Sequence, residues 1–106
     1  ASSANNRTYG GAIFNNSKVG NITGDFIGNY ASSYNARGGA IANSGTIGDI
    51  SGDFIGNYAS SFYGGAIDNE YGSTIGDITG NFIGNYASGE YAYGGAIFNE
   101  YGEISC

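Results

Sequence analysis

A chain of 106 residues is long enough for one domain or for part of one. Only 11% of the residues are charged, and nine acidic against three basic residues give a net charge of −6. This balance argues against binding to nucleic acid or to anionic lipid, since both favour clustered Lys and Arg. No run of roughly 18 apolar residues is present, so we expect no transmembrane helix, and the single cysteine, Cys106, excludes an internal disulfide framework.

Two short phrases repeat along the chain. Gly-Gly-Ala-Ile-x-Asn begins at residues 10, 38, 64 and 94, and Gly-x-Phe-Ile-Gly-Asn-Tyr-Ala begins at residues 24, 52 and 80. The second phrase therefore falls once in every interval between copies of the first. The 21 glycines would favour disorder, but Ile, Phe and Tyr recur at fixed positions and supply the apolar surface that disordered chains lack. The chain is predicted to be a repeat protein.

The repeats read as short strands rather than helices. Each glycine inside the 47–58 segment would cost a helix about 1 kcal/mol relative to alanine. Strands with glycine at the corners accommodate these positions, because glycine permits positive φ and tight bends. We predict strands near residues 12–15, 19–23 and 25–31 and their equivalents, about three sides per coil, with rungs ~4.8 Å apart. The predicted fold class is an all-β parallel β-helix, or β-solenoid.

The spacing of the phrases divides the chain into coils. We predict one β-solenoid repeat domain over 1–106, with a partial coil at 1–9, complete coils at about 10–37, 38–63 and 64–93, and a partial coil at 94–106. Length varies before each Gly-Gly-Ala-Ile phrase, at 32–37, 60–63 and 88–93, and again after its asparagine. These variable segments are expected to be surface loops, where insertions are tolerated.

Stacked coils place equivalent residues on top of one another and so predict ladders. The apolar ladders are Ile13, Ile41, Ile67 and Ile97, and Phe26, Phe54 and Phe82. The amide ladders are Asn15, Asn43, Asn69 and Asn99, and Asn29, Asn57 and Asn85, in which each side chain would bond to the next rung. The residue before the first asparagine differs between copies, so we expect it to point outward.

No catalytic constellation is evident. An enzyme on a β-helix needs paired carboxylates or a cation site, whereas the main acids, Asp25, Asp53, Asp49 and Asp77, fall on outward ladders, and histidine is absent. Stacked carboxylates suit calcium, but the Gly-Gly-x-Gly-x-Asp repeat of calcium-binding β-rolls does not occur. The mixed Thr/Ser column at 23, 51 and 79 is too broken for a flat ice-binding array. We predict no enzyme activity, no cofactor and no metal site.

Tyrosine is the side chain most suited to contacting a partner. Tyr30, Tyr58 and Tyr86 recur in register, so we interpret them as a structural column. The tyrosines expected in or beside variable loops are candidate partner contacts: Tyr34, Tyr63, Tyr91 and Tyr93.

The alternation of Gly-Gly-Ala-Ile with Phe-x-x-Asn resembles the tandem motifs of the chlamydial polymorphic membrane proteins and related autotransporter passengers. Here the motifs begin at Gly10, Gly38, Gly64 and Gly94 and at Phe26, Phe54 and Phe82, and they cover nearly the whole chain. The resemblance implies a right-handed β-helix on a bacterial surface or outside the cell, adhesive, and in some members prone to oligomerise. We expect the chain to depart from the full-length family pattern in lacking an outer-membrane barrel and a signal peptide and in having few coils.

A solenoid cut in mid-repeat exposes strand edges that proteins normally protect with charge, proline or a capping element. The sequence has no proline and no amphipathic helix to serve as a cap. We therefore expect a non-enzymatic structural protein whose copies join end to end into a filament with an adhesive surface, its partners being itself and a host or neighbouring-cell surface. The alternatives are a monomeric adhesin fragment of an autotransporter passenger and, third, a carbohydrate-active β-helix enzyme.

Overall fold

The computed structural model describes residues 7–70, 72–88, 94–99 and 102–105. Within them the chain forms 17 short strands and no helix, and the strands pair in parallel. The strands are β1 (Arg7–Tyr9), β2 (Ile13–Asn15), β3 (Lys18–Val19), β4 (Ile22–Thr23), β5 (Phe26–Ile27), β6 (Tyr30–Arg37), β7 (Ile41–Asn43), β8 (Thr46–Ile47), β9 (Ile50–Ser51), β10 (Phe54–Ile55), β11 (Tyr58–Tyr63), β12 (Ile67–Asn69), β13 (Thr74–Thr79), β14 (Phe82–Ile83), β15 (Tyr86–Ser88), β16 (Ile97–Asn99) and β17 (Glu103–Ser105).

The strands assemble into four sheets that the chain visits in the same order on each turn. The GGAI sheet has the order β16-β12-β7-β2, and the isoleucine sheet has β3-β8-β13-β9-β4 with β17 also on β13. The phenylalanine sheet is β14-β10-β5, and the tyrosine sheet is β1-β6-β11-β15. Neighbours in every sheet come from successive repeats, so the chain folds as a parallel β-solenoid and the predicted fold class is confirmed.

Strand register follows the sequence repeat. Phe54 pairs with Phe26 on one side and with Phe82 on the other, and Ile67 pairs likewise with Ile41 and Ile97. Because identical residues meet across each pair, a one-residue slip would turn the whole apolar set of a strand to the outside. The repeat therefore specifies the register of the GGAI and phenylalanine sheets.

The core is the interior of the middle coils. Its fully buried members are Ala40, Ile41, Ile47, Ile50, Phe54, Ala66, Ile67 and Ile75. The equivalents of these residues on the first and last rungs pack against the cluster but are only partly buried. Each fully buried Ile or Phe side chain contributes roughly 1.5–3 kcal/mol of transfer free energy, so most of the apolar stabilisation comes from the middle of the stack.

Two variable segments predicted as loops are strands instead. Residues 32–37 lie in β6 and residues 60–63 lie in β11, where the two strands pair with register shifts around Ser61. A stacked coil offers backbone partners whatever the side chains are, and the shifts absorb the difference in length between coils. Of the third segment, Ser88 ends β15 and residues 89–93 lie outside the described residues.

The predicted strands at 19–23 and 25–31 are each interrupted by glycine, so the first coil has five strands, which lie in four sheets, where three sides were predicted. In the first coil, β3 ends before Gly20 and β5 ends before Gly28, which has φ +65°. Only β13, in the third coil, runs unbroken from Thr74 to Thr79. The turns between strands therefore lie at glycines, and the pattern of apolar residues predicts their positions less well.

The residue before the first asparagine does not consistently face solvent as expected. Phe14 is 46% exposed, but Ala42 and Asp68 are 0% and 1% exposed. Phe98, in the same column, is half-buried. The outer face of the GGAI sheet is therefore covered at its two central rungs.

Candidate functional site: ladder ends and outer columns

One amide ladder runs through the GGAI sheet. The Nδ2 of Asn15 donates to Oδ1 of Asn43 at 2.8 Å, Asn43 donates to Asn69 at 2.9 Å, and Asn69 donates to Asn99 at 2.7 Å. Each bond has the same direction, so the ladder has an acceptor end at Asn15 and a donor end at Asn99.

The second amide ladder, beside the phenylalanine sheet, has the same polarity. Asn29 donates through Nδ2 to Oδ1 of Asn57, and Asn57 donates to Asn85, at 3.0 and 2.8 Å. The Oδ1 of Asn57 also accepts from the backbone nitrogen of Asn29 at 3.0 Å, and its Nδ2 also donates to the carbonyl oxygen of Phe26 at 2.9 Å. Asn57 is fully buried, and these bonds use both its donors and both its acceptor positions.

A column of aromatic rings stands next to this ladder. The rings of Phe26 and Phe54 have centroids 4.8 Å apart and an interplanar angle of 8°, and those of Phe54 and Phe82 are 4.7 Å apart at 3°. The separation matches the spacing of strands in a sheet. Register, and not an independent ring preference, therefore sets this stack.

The two ends of the solenoid differ from its middle. We call the rung formed by β2, β3, β4 and β5 the head face, and the rung formed by β14, β15, β16 and β17 the tail face. Within the described residues, each of these strands is hydrogen-bonded on one side only. The half-buried apolar side chains on the two faces are Ile13, Val19, Ile22 and Phe26 at the head and Phe82, Ile97 and Ile104 at the tail.

Two columns of Asp and Asn side chains form hydrogen bonds between successive rungs. Oδ1 of Asn21 accepts from the backbone nitrogen of Asp49 at 2.8 Å, and Asp49 accepts in the same way from Asp77 at 2.9 Å. Asp25, Asp53 and Asn81 repeat this pattern at 3.0 and 2.9 Å. The side chains of the first two members of each column accept from a backbone nitrogen of the next rung, which explains why Asp and Asn occupy these positions.

An ion pair links two coils on the outer surface near the GGAI sheet. Nη1 of Arg37 contacts Oε1 and Oε2 of Glu70 at 2.9 and 3.0 Å, and the side chains are about one-fifth exposed. Burial raises the pKa of the Glu70 carboxyl, but hydrogen bonds with Asp68 and Arg37 and the Arg37 charge outweigh it and leave that pKa below its ordinary value. The sequence reasoning missed this cluster; its signal is an acid following the asparagine of one repeat and a base preceding the glycines of another.

The outer surface also carries two apolar columns in register. We call them together the Ile–Tyr stripe, and its members are Ile27, Ile55, Ile83, Tyr30, Tyr58 and Tyr86. The rings of Tyr58 and Tyr86 have centroids 4.4 Å apart and are tilted by 32° to each other. Hydrogen bonds with Ser60 and Ser88 lower the pKa of the Tyr58 hydroxyl. The outward isoleucines are a consequence of strand alternation that the sequence reasoning did not draw: with Phe26 inside, Ile27 must face out.

The four tyrosines predicted to contact partners are only partly located. Tyr34 lies within β6 and Tyr63 ends β11, so both belong to strands and not to loops. Tyr91 and Tyr93 lie outside the described residues. Their proposed role in partner contact remains a prediction.

Enzymatic and metal sites need a cavity or a ligand cluster. A cavity of about 170 Å³ is lined by Gly72, Ser73, Thr74, Gly102 and Glu103, which is smaller than the roughly 300–1,000 Å³ of typical ligand pockets. Among the residues that the structure describes, no three His, Cys, Asp or Glu side chains group as metal ligands, and no helix is long and apolar enough to cross a membrane.

Comparison of the chain with protein families, with curated proteins and with solved structures found no match to any of them.

Proposed function

We propose that this chain is a non-enzymatic structural subunit, acting outside the cell or on a bacterial surface, whose copies stack head face on tail face into a filament with an adhesive outer surface. The observation that carries the proposal is the polarity of the amide ladders. Among the described residues, no further rung accepts from the amide donors at the tail or donates to the amide acceptors at the head.

The apolar ladders support stacking of a second copy. Ile13 at the head and Ile97 at the tail are half-buried, whereas Ile41 and Ile67 between them are 0% exposed. A copy placed with its head on this tail would bring Ile13 of one molecule onto Ile97 of the next, as Ile41 already lies against Ile67. The junction would then bury side chains that the single chain leaves in water.

The first amide ladder would continue across the same junction. Nδ2 of Asn99 donates within the chain to Gly102 at 3.3 Å, which leaves its second N–H for a neighbour, and Asn99 is exposed. Oδ1 of Asn15 accepts from the backbone nitrogen of Ser17 at 3.2 Å and retains one acceptor position. Asn99 of one copy and Asn15 of the next would therefore form the bond that Asn43 and Asn69 form inside the chain. A head-to-head arrangement would instead place the Asn15 acceptors of the two copies opposite each other, with no donor between them.

The sheets set the repeat of such a stack. The GGAI sheet has four strands, so a head-to-tail stack that continues it places β2 of the next copy on β16. Four rungs correspond to an axial repeat of ~19 Å per subunit. In this stack the phenylalanine sheet, with three strands among the described residues, has one open rung at each junction, and the GGAI and isoleucine sheets hold the copies together.

The test is electron microscopy and sedimentation of the chain at micromolar concentration. We expect fibres with a layer spacing of ~4.8 Å and an axial subunit repeat of ~19 Å. Wild-type chain that stays monomeric at every concentration would overturn the proposal and favour the monomeric adhesin.

A matched pair of variants locates the junction. Asn99→Asp keeps an oxygen to accept from Asn69 but replaces the tail donor with a carboxylate facing the next copy's Asn15. We expect it to remain monomeric and, in small amounts, to cap wild-type fibres. The control, Asn81→Asp, adds the same charge in a column where Asp25 and Asp53 already stand, and should still form fibres. An Asn99→Asp variant that assembles like wild type, or that forms dimers through paired heads, would contradict the proposed junction.

A further inference from the structure

The Ile–Tyr stripe is exposed to an unusual degree for large apolar side chains. Ile27 and Ile83 are 64% and 56% exposed, and Tyr30 and Tyr86 are 50% and 53% exposed. The central members, Ile55 and Tyr58, are half-buried. None of the six side chains carries a charge at neutral pH, although the chain has a net charge of −6. The stripe is therefore an uncharged face on an acidic molecule.

Glycines lie between the isoleucine column and the tyrosine column. Gly28, Gly56 and Gly84 have φ values of +65°, +65° and +64°, and a Cβ built on any of them would meet no atom within 4 Å. Backbone without side chains therefore separates the two columns on each of these rungs. Side chains of a partner with the same axial period could pack over this bare backbone.

We propose that the Ile–Tyr stripe is the surface through which two stacks of this chain pair side by side, so that its occupant is a second copy. The proposal rests on the stacking proposed above, and it adds a lateral contact that end-to-end assembly does not require.

Period and charge both favour a second copy over another partner. The stripe repeats at ~4.8 Å over three rungs of each subunit, and an identical stack presents the same apolar groups at the same interval, with the same open rung at each junction. Two molecules of charge −6 repel each other, and an uncharged face is where they can approach most closely. Parallel sheets are also normally covered on both faces, and none of the described strands covers the phenylalanine and tyrosine sheets where the stripe lies.

The area explains why pairing would depend on stacking. An aromatic side chain buries about 150–250 Å², so six side chains at the observed exposures present on the order of 500 Å² per subunit. A stable interface needs about 800 Å² on each partner. One subunit falls short, whereas two stacked subunits exceed the requirement, and each further subunit adds contacts to the same pair of stacks. We therefore expect single subunits not to pair and stacks to pair tightly.

The ring geometry disfavours a carbohydrate as the occupant. The rings of Tyr58 and Tyr86 have centroids 4.4 Å apart at a tilt of 32°, and the Tyr58 hydroxyl hydrogen-bonds to Oγ of Ser88 at 2.9 Å. In this pair each ring partly covers the face of the other on which a sugar would stack. The outside is left with ring edges and isoleucine methyl groups, which suit packing against another apolar column.

The test compares two double variants by cryo-electron microscopy and by mass per unit length. Ile27→Thr with Ile83→Thr removes apolar surface at the first and last rungs of the stripe while keeping β-branched residues. We expect the wild type to form paired stacks, and this variant to form single stacks with half the mass per unit length and an unchanged axial repeat. The control, Thr23→Ser with Thr79→Ser, alters exposed residues on the same rungs in a column that already holds Ser51, and should still pair.

The outcomes separate the two proposals. Absence of any wild-type stack overturns both, whereas wild-type stacks that are single, or variant stacks that remain paired, overturn the lateral contact alone. Should the double variant fail to fold by circular dichroism, the salt dependence of the wild type decides. Because the Debye length shrinks from about 30 Å at 0.01 M to about 10 Å at 0.1 M salt, the paired fraction should rise over that range. A paired fraction that falls would show that charges, and not the stripe, hold the stacks together.

Discussion

Asn43 and Asn69 lie 26 residues apart in the chain, yet Nδ2 of Asn43 donates to Oδ1 of Asn69 at 2.9 Å. Both side chains are fully buried, and neither could remain inside the solenoid without such a partner, because a buried amide that lacks hydrogen bonds costs several kcal/mol. The repeat supplies the partner automatically, since every coil delivers an asparagine to the same place. The buried asparagines therefore hold neighbouring rungs in register.

An asparagine inside an amide ladder should contribute more to the free energy of unfolding than an asparagine at the end of the ladder. Asn57→Ala removes the acceptor of two Asn29 donors and leaves the Phe26 carbonyl without its Asn57 donor, all at a fully buried position. At roughly 1–3 kcal/mol for each buried group left unsatisfied, we expect a loss of about 3–5 kcal/mol in urea unfolding. Asn29→Ala, on the head face, should cost about 1 kcal/mol. Equal losses at the two positions would mean that the amides act singly and not as a ladder.

Much of this architecture is accessible from sequence because the phrases that form it repeat. Phe26, Phe54 and Phe82 are spaced by 28 residues, and the structure pairs them directly. Predicting their stacking required only that one coil lie on the next. In a solenoid, residues that are distant in the chain make contact because they occupy equivalent positions of successive repeats. The period of the sequence therefore identifies contacts that cannot usually be predicted between distant residues.

The features that could not be predicted depend on contacts between non-equivalent residues. Residues 32–37 lack apolar alternation, and their strand forms because the neighbouring coil presents backbone groups that need partners. Asp68 is buried in the vicinity of Arg37 and Glu70, which occupy different positions of different repeats. No periodic comparison aligns such residues, and the cluster becomes visible only when the coils are stacked with their unequal lengths.

The second glycine of the GGAI phrase should tolerate no side chain. A Cβ at Gly39 would collide with the carbonyl oxygen of Gly65 on the next rung and with the backbone of Tyr58. Because backbone cannot move aside as a flexible side chain can, we expect Gly39→Ala to lose more than about 3 kcal/mol or to leave the chain unfolded by circular dichroism.

A control separates this collision from backbone strain. A Cβ at Gly56 would meet no atom within 4 Å, although φ there is +65°. Gly56→Ala should therefore cost only about 1–2 kcal/mol, the penalty of a left-handed conformation for alanine. A loss at Gly39 no larger than that at Gly56 would show that the rungs shift to relieve the collision, because Gly39 itself does not have a positive φ.

The aspartates of the acidic columns should stabilise the fold as hydrogen-bond acceptors, while the repulsion between their charges lowers its stability slightly. Asp49→Asn keeps the oxygen that accepts from the backbone nitrogen of Asp77 and removes one of two stacked charges. We expect the melting temperature to stay equal or rise slightly at low salt, with the difference disappearing at high salt as the repulsion is screened. Asp49→Ala loses the acceptor and should be destabilised by about 1 kcal/mol at any salt concentration. A marked destabilisation of Asp49→Asn that calcium chelation reproduces in the wild type would instead point to a bound cation.

The Arg37–Glu70 pair should make stability depend on pH on the acidic side. A folded-state pKa below the ordinary value means that ionised Glu70 stabilises the fold above the unfolded-state pKa of glutamate, ~4.3. This stabilisation is lost as the pH falls through the lower folded-state pKa. Arg37→Gln removes the guanidinium that contacts both carboxylate oxygens, so we expect a loss of about 1–2 kcal/mol at pH 7.

The difference between wild type and Arg37→Gln should shrink once Glu70 is protonated in both, which urea unfolding at about pH 7 and about pH 3 would measure. Arg37→Lys keeps the charge but cannot match the planar guanidinium, and it should lie between the two. If the gap between wild type and Arg37→Gln were the same at both pH values, the ion pair would not be its source. The loss would then come from the packing of the arginine stem over the buried outer face of the GGAI sheet.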